Sequence, residues 1–135
     1  MLALALKDDA EWAAQQTKCL RKGVAAAFYE VTEDVVIVHD RACNGPFHRI
    51  TCKNIVGGCG CCHAEVRSIL LSITRKHLTN EWTFGTTFSP CLACATAILA
   101  VWPRILRVVY LHRTEHDLRG VELLKEAGIP CDQVQ

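Results

Sequence analysis

Apolar positions along the chain recur with two different periods, and the changes of period divide it into elements. Trp12, Ala13, Gln16 and Leu20 fall at mixed helical spacing and predict a first helix over residues 8–20, stopped by Gly23. Residues 24–31 and 35–39 are apolar and partly β-branched, with the polar Thr32-Glu33-Asp34 between them, and predict a strand hairpin. Residues 41–62 read as a loop rich in Gly, Cys and Asn; a loop of that length is usually functional or clamped by metal. Val66, Ile69, Leu70, Ile73 and His77 fall at i, i+3, i+4, i+7 and i+11, which predicts an amphipathic helix over 63–78. A short strand over 82–88 is closed by Ser89-Pro90, and a helix over 91–101 breaks before Pro103. Residues 105–111 form a strongly apolar strand. A helix over 117–127 follows with Gly128 as its stop, and 129–134 are a last short strand. This order predicts a three-layer α/β/α fold: a five-stranded mixed sheet with helices on both faces. A helix joins the last two strands, so they are expected to run parallel.

Composition narrows the class of protein. A chain of 135 residues, half of them apolar, suits one domain over 1–135 with a core of its own. The formal net charge of +1 creates no overall field for a polyanion. Nine cysteines are many, but an odd number without a secretory leader argues against a disulfide framework. The opening Met-Leu-Ala-Leu-Ala-Leu runs straight into Lys7, Asp8 and Asp9, too short for a signal segment. No run approaches a membrane span. The expectation is a cytoplasmic protein with reduced thiols and no membrane partner. Taken singly, Cys19, Cys43 and Cys131 read as small buried hydrophobes.

Two segments carry chemistry: Cys62-His63-Ala64-Glu65 and Pro90-Cys91-Leu92-Ala93-Cys94, each opening a predicted helix. Three nitrogen and sulfur ligands, His63, Cys91 and Cys94, leave the fourth position of a tetrahedral Zn²⁺ open, the pattern of a catalytic site. Helix N-termini beside Cys91 and Cys94 favour their thiolates. Glu65 lies beside the metal without being a ligand and is placed to move protons. A Cys-x-x-Cys alone also suits a redox pair or half a zinc ribbon, and a His-Ala-Glu alone also suits a surface helix start. Together, in this order, they make the His-x-Glu and Pro-Cys-x-x-Cys pattern of zinc deaminases.

On these motifs the chain resembles the cytidine and deoxycytidylate deaminase superfamily over nearly its whole length. In free-nucleoside members the last strands form an antiparallel hairpin, whereas a helix intervenes in the deoxycytidylate, tRNA-adenosine and polynucleotide deaminases. The helix over 117–127 favours the second group. Thr17-Lys18-Cys19-Leu20-Arg21 before Val24-Ala25-Ala26 is similar to the Ser-x-Cys-x-Arg segment of the deoxycytidylate (dCMP) deaminases, and Cys43-Asn44-Gly45-Pro46 to their Asn-Gly-x-Pro loop. The resemblance implies zinc as cofactor, Glu65 as the catalytic proton carrier and a cytosine nucleotide as substrate. It implies that Asn44 contacts the sugar, with Arg21, Ala64 and Arg67 as further candidate substrate contacts, and that the protein is a homo-oligomer. Asn44 is equally well read as part of an Asn-Gly turn.

The chain departs from the family where His-Ala-Glu continues as Val66-Arg67-Ser68 in place of x-Asn-Ala. Arg67 suits bidentate phosphate reading or a solvated helix surface. Cys43 stands where the family has Tyr, and the Gly after Val24 is missing. Cys19, Cys52, Cys59 and Cys61, with His48 close by, are candidates for a second, structural zinc of the kind some family members carry. Cys62 reads as a packing residue. Arg21, Arg41, His48, Arg49, Lys53 and Arg113, on or near predicted loop ends, are the basic candidates for a phosphate contact, each of which taken singly reads as a solvated charge, and His39, His77, His112 and His116 have no spacing that ties them to the metal. Trp82 and Phe88 suit either a base pocket or the core, and Trp102 and Ile105 are candidate apolar contacts between subunits. The rival readings are a polynucleotide deaminase, which needs a basic groove with stacking aromatics, and a non-catalytic zinc module, which has no need of Glu65.

Overall fold

The structure, a computed structural model, describes residues 1–47, 49–56, 58–75, 81–101, 105–114 and 117–135. Its elements are α1 (Leu2–Gln16), β1 (Ala25–Val31), β2 (Val36–Cys43), α2 (Ala64–Arg75), β3 (Trp82–Phe88), α3 (Leu92–Leu99), β4 (Ile105–His112), α4 (Arg119–Glu126) and β5 (Cys131–Gln133). His48, His77, Trp102, Pro103 and His116, each singled out in the sequence, lie outside the described residues, as does the expected end of the second helix at 76–78.

The sheet order is β2-β1-β3-β4-β5. β1 pairs antiparallel with β2 and β3, while β3–β4 and β4–β5 are parallel, as the intervening helices require. The two-residue period of the strands sends alternate side chains to opposite faces. Ala26, Phe28, Phe84 and Val108 pack with Ile69, Ile98, Val121 and Leu124 of α2, α3 and α4. Ala27, Tyr29 and Val109 meet Leu6 of α1 on the other face. The three layers of the expected fold are therefore α1, the sheet, and the trio α2–α4.

Four local expectations are corrected. Helix α1 starts at Leu2 rather than residue 8, because its Leu-Ala opening is made of the strongest helix formers and supplies Leu6 to the stripe Leu6, Asp9, Ala13 that faces the sheet. It ends at Gln16, where Thr17 turns to extended backbone and its hydroxyl lies 2.8 Å from the carbonyl oxygen of Asn44. Leu20 is exposed, and Gly23 acts by close approach instead: a Cβ there would come within 2.8 Å of the Ala13 carbonyl oxygen. Strand β2 runs on to Cys43, because one extra residue opposite Ala26–Phe28 breaks its period, with Asp40 at φ +56°.

The third correction concerns α2, whose buried face is Glu65, Ser68, Ile69 and Ser72, while Leu70 and Ile73 are more than half exposed. The serines are tolerated inside because their hydroxyls donate to the carbonyl oxygens of Asp40 (2.7 Å) and Ile69 (2.7 Å). Ile105 is buried in the core, so the exposed apolar residue there is Leu106. Arg41 pairs with the buried carboxylate of Asp9 at 3.2 Å, stacks 4.0 Å over Trp12, and shares Asp9 with the Tyr29 hydroxyl, which donates to it. No helix among the described residues is long and apolar enough to cross a membrane.

Candidate active site

Because β1 runs against β3, the start of one and the finish of the other lie at the same end of the sheet. Ala26 pairs with Thr86, and the Ala25 N–H donates to the Thr87 hydroxyl at 3.0 Å. The chain leaving β3 passes Ser89-Pro90 into α3, and the long loop, pinned by the Gly45–Cys62 bridge, delivers α2 to the same end. The N-termini of α2 and α3 thus meet over the sheet. His63 directly precedes α2, Cys91 is the N-cap of α3, and Cys94 lies in its first turn.

These three side chains converge. His63 Nδ1 is 3.0 Å from Cys94 Sγ and 3.5 Å from Cys91 Sγ, and all three donor atoms lie within 4.8 Å of one another. A tetrahedral zinc with ordinary bond lengths separates its nitrogen and sulfur ligands by about 3.6 Å, so the donor set fits that ion in kind and in spacing. The nearby Cys94 and His63 hold the Cys91 thiol down to about 4, whereas its neighbour Cys91 and burial push Cys94 up. The hydrogen bond to Cys91 raises the pKa of His63. Glu65 is buried beside the cluster, accepts a hydrogen bond from the Thr86 hydroxyl at 3.1 Å, and has its pKa raised by loss of water.

The cluster sits in a cavity of about 970 Å³ whose wall includes Arg21, Ala64, Asn44 and Phe88. Asn44 builds that wall. Its Oδ1 accepts from the Val24 N–H at 2.8 Å and its Nδ2 donates to the Lys22 carbonyl at 2.9 Å. Arg67 stands outside the cavity, fastening the preceding loop through Gly45 O (2.9 Å) and Pro46 O (3.3 Å). Trp82 is core, packed on Phe28.

Sequence reasoning missed two features. Lys22 lies in the cavity with Nζ 3.9 Å from the centre of the Phe88 ring, and burial followed by Arg21 lowers its pKa. Its signal was the paired charge Arg21-Lys22 just before β1. Asp117 and Arg119 close another side, Nε to Oδ1 at 3.1 Å, and that pairing holds Asp117 down to about 2. Nothing in their spacing announced them.

A second cluster adjoins the first. The sulfurs of Cys19, Cys52, Cys59 and Cys61 lie within 4.8 Å of one another, with Cys19 and Cys52 3.9 Å apart. Tetrahedral zinc thiolates stand about 3.8 Å apart. Cys52 accepts N–H groups from Leu20 and Asn54, each at 3.4 Å, and the first of these contributes most to lowering its pKa to about 7. Burial pushes Cys61 up. Cys19 is therefore one of four facing thiols rather than an isolated packing residue. Cys62 belongs to neither cluster, its sulfur lying 3.7 Å from the His63 carbonyl oxygen. Cys131 is buried in β5, which pushes its thiol up to about 11.

No family model matches the chain, and no curated protein matches it significantly. Solved structures do. The dCMP deaminase of cyanophage S-TIM5 superposes with a TM-score of 0.73 in its apo form, at 20% identity over 98% of this chain and 97% of that one. Its complex with dCMP and dUMP gives 0.76, at 21% identity over 97% and 94%. The Rib2 deaminase of Aspergillus oryzae, in complex with DARIPP, gives 0.67 at 14% identity over 98% and 82%. At such identities the likeness is one of fold. The chain has the cytidine-deaminase-like fold.

Proposed function

We propose that the protein is a zinc-dependent hydrolytic deaminase of a free cytosine nucleotide, dCMP or a related pyrimidine nucleotide, which it converts with water to the uracil nucleotide and ammonia. The observation that carries the reading is the buried carboxylate of Glu65 beside three metal donors in a cavity large enough for a nucleotide. A zinc ion on His63, Cys91 and Cys94 would supply a water acidified for attack on C4 of the base. Glu65, whose pKa burial raises, would carry one proton from that water to N3 and a second from the resulting C4 hydroxyl to the departing amine, leaving the uracil ring protonated at N3 and ammonia free. Thr86 holds the carboxylate in place.

Ala64 and Phe88 wall the base, Arg21 and Lys22 face the phosphate, and the second Nδ2 hydrogen of Asn44 is available to a sugar hydroxyl. The four facing cysteines hold a second, structural zinc. The domain spans 1–135 and acts in the cytoplasm, where nine thiols stay reduced. It assembles as a homo-oligomer, which would cover Leu70 and Ile73 on the outer face of α2.

Among the described residues lining the cavity, Phe88 alone is aromatic, which favours a free nucleotide over a stacked polynucleotide. The test is ammonia release by zinc-loaded protein from dCMP, CMP, dCTP, deoxycytidine, 5-substituted forms and single-stranded oligonucleotides, with Glu65→Ala as control. Turnover of a free nucleotide that Glu65→Ala abolishes is the expected result. Turnover of oligonucleotides alone would transfer the chain to the polynucleotide class. Inactivity on the whole panel with zinc bound would refute catalysis.

A further inference from the structure

The turn that carries Cys91 has few ties of its own. Cys91 is the N-cap of α3 but makes no side-chain cap, so the first N–H groups of the helix look elsewhere for partners. They find one across the chain. Asp117 Oδ2 accepts the Leu92 N–H at 3.4 Å, while its Oδ1 accepts the backbone N–H and Nε of Arg119, each at 3.1 Å. At the start of α4, Gly120 then packs backbone to backbone against the same turn. A Cβ on Gly120 would lie 2.1 Å from Pro90 O, 2.5 Å from Cys91 O and 2.6 Å from Cys91 C. The entry to the turn is held from the same side. The Ser89 N–H donates to His112 O at 2.8 Å, and its hydroxyl accepts the Thr114 N–H at 2.7 Å.

We propose that the start of α4 is a brace for the metal centre, in which Gly120 and Asp117 are positioning residues that set where Cys91 stands. This rests on the reading of His63, Cys91 and Cys94 as metal ligands. The magnitudes favour a strong effect. Ordinary contact of a Cβ begins at 3.4 Å, so a methyl at Gly120 must drive the turn back by more than 1 Å. Ligand distances in a working metal site tolerate only about 0.2 Å. The atoms it meets are main-chain, so no flexible side chain absorbs the strain. Cys91 O also accepts the Ala95 N–H at 2.9 Å, so displacing it loosens the first turn of α3, where Cys94 stands.

The experiment measures zinc release to a chromogenic chelator from wild type, Gly120→Ala, Asp117→Ala, Asp117→Asn and Leu6→Ala. Leu6→Ala empties part of the core on the opposite face and controls for general loss of stability. Gly120→Ala and Asp117→Ala are expected to release the His63–Cys91–Cys94 zinc about 10- to 100-fold faster. Asp117→Asn, which keeps an acceptor for Leu92, is expected to recover most of the difference, and Leu6→Ala to match wild type. Amide hydrogen exchange at 91–95 in the metal-free proteins is read in parallel, and should quicken in Gly120→Ala and Asp117→Ala alone. That arm separates the two ideas. A wild type that binds no metal at this site defeats the functional reading, while the exchange data still decide the brace. If Gly120→Ala does not fold, Asp117→Ala and its Asn rescue carry the test. Release and exchange at wild-type rates in the folded variants, or equal acceleration in Leu6→Ala, would overturn the proposal.

Discussion

Replacing Glu65 by Gln separates chemistry from structure at this site. The carboxylate is 4% exposed and touches the Thr86 hydroxyl and the Cys94 thiol. Gln has the same size and keeps an oxygen for Thr86, so packing and that hydrogen bond survive, but it cannot carry a proton at neutral pH. Positioned proton transfer contributes about 10²- to 10⁴-fold, or about 3–5 kcal/mol of barrier at 1.36 kcal/mol per tenfold. The fold responds in the opposite direction. Burial raises the pKa of Glu65 above its ordinary 4.5, so the folded state holds this proton more tightly than the unfolded one. In metal-free protein its contribution to stability is full below 4.5 and is lost as pH rises through the raised folded value. Gln has no such loss. Metal-free Glu65→Gln should therefore melt no lower than wild type at pH 8, with a margin that grows as pH climbs from 4.5. The assays are steady-state deamination, zinc content by elemental analysis, and melting curves across pH. A zinc-replete Glu65→Gln enzyme within tenfold of wild-type kcat would refute the proton-carrier role. A lowered melting temperature at every pH would mark the carboxylate as a structural anchor.

Lys22→Met should weaken kcat/KM for a phosphorylated substrate on the order of 10- to 100-fold, the worth of one charge-assisted contact, while sparing the nucleoside; equal losses on both would place the phosphate elsewhere. In metal-free protein Cys91, held down to about 4, should still react with iodoacetamide at pH 6, where an ordinary thiol is protonated. Mass spectrometry of the labelled peptide checks this, and labelling that fades between pH 9 and 8 would contradict it. Cys52→Ser should lower bound zinc from two ions per chain to one, the remaining ion staying on the His63 site. Elemental analysis reads the count, and an unchanged count would remove the second metal from the proposal.

Much of the fold was legible because its signals are local. The His-Ala-Glu and Pro-Cys-x-x-Cys segments announce two helix starts, and a helix between the last two strands dictates their parallel pairing. What stayed hidden depends on partners remote in sequence. Arg67 has the composition of a phosphate reader, but the carbonyls of Gly45 and Pro46 reach it first, and only the folded loop brings them there. Ser68 and Ser72 look like the wet side of α2, yet carbonyl partners let them face the sheet and turn Leu70 and Ile73 outward. Asp40 hides the second half of β2 by breaking its period. Gly120 carries no side chain to read, and its importance is entirely that of the backbone it touches.

The two thiol clusters are coupled by the chain that builds the cavity between them. Cys19 leads directly into Arg21 and Lys22, and Cys61 lies just ahead of His63, while Cys19, Cys59 and Cys61 line the cavity themselves. The stretch from 49 to 61 forms no helix or strand among its described residues and exposes Ile50, Ile55 and Val56, so it has no apolar core to hold it. A short irregular wall without a core needs a cross-link, and four sulfurs within 4.8 Å of one another would supply one by holding the proposed second metal. Pinning that wall would fix both the cationic pair proposed to meet a phosphate and the approach to His63, Cys91 and Cys94. The second cluster should therefore act on substrate binding, through the walls, and leave the proton chemistry of Glu65 untouched. Loss of its metal in Cys52→Ser would then appear as a raised KM at nearly constant kcat, the opposite split from Glu65→Gln.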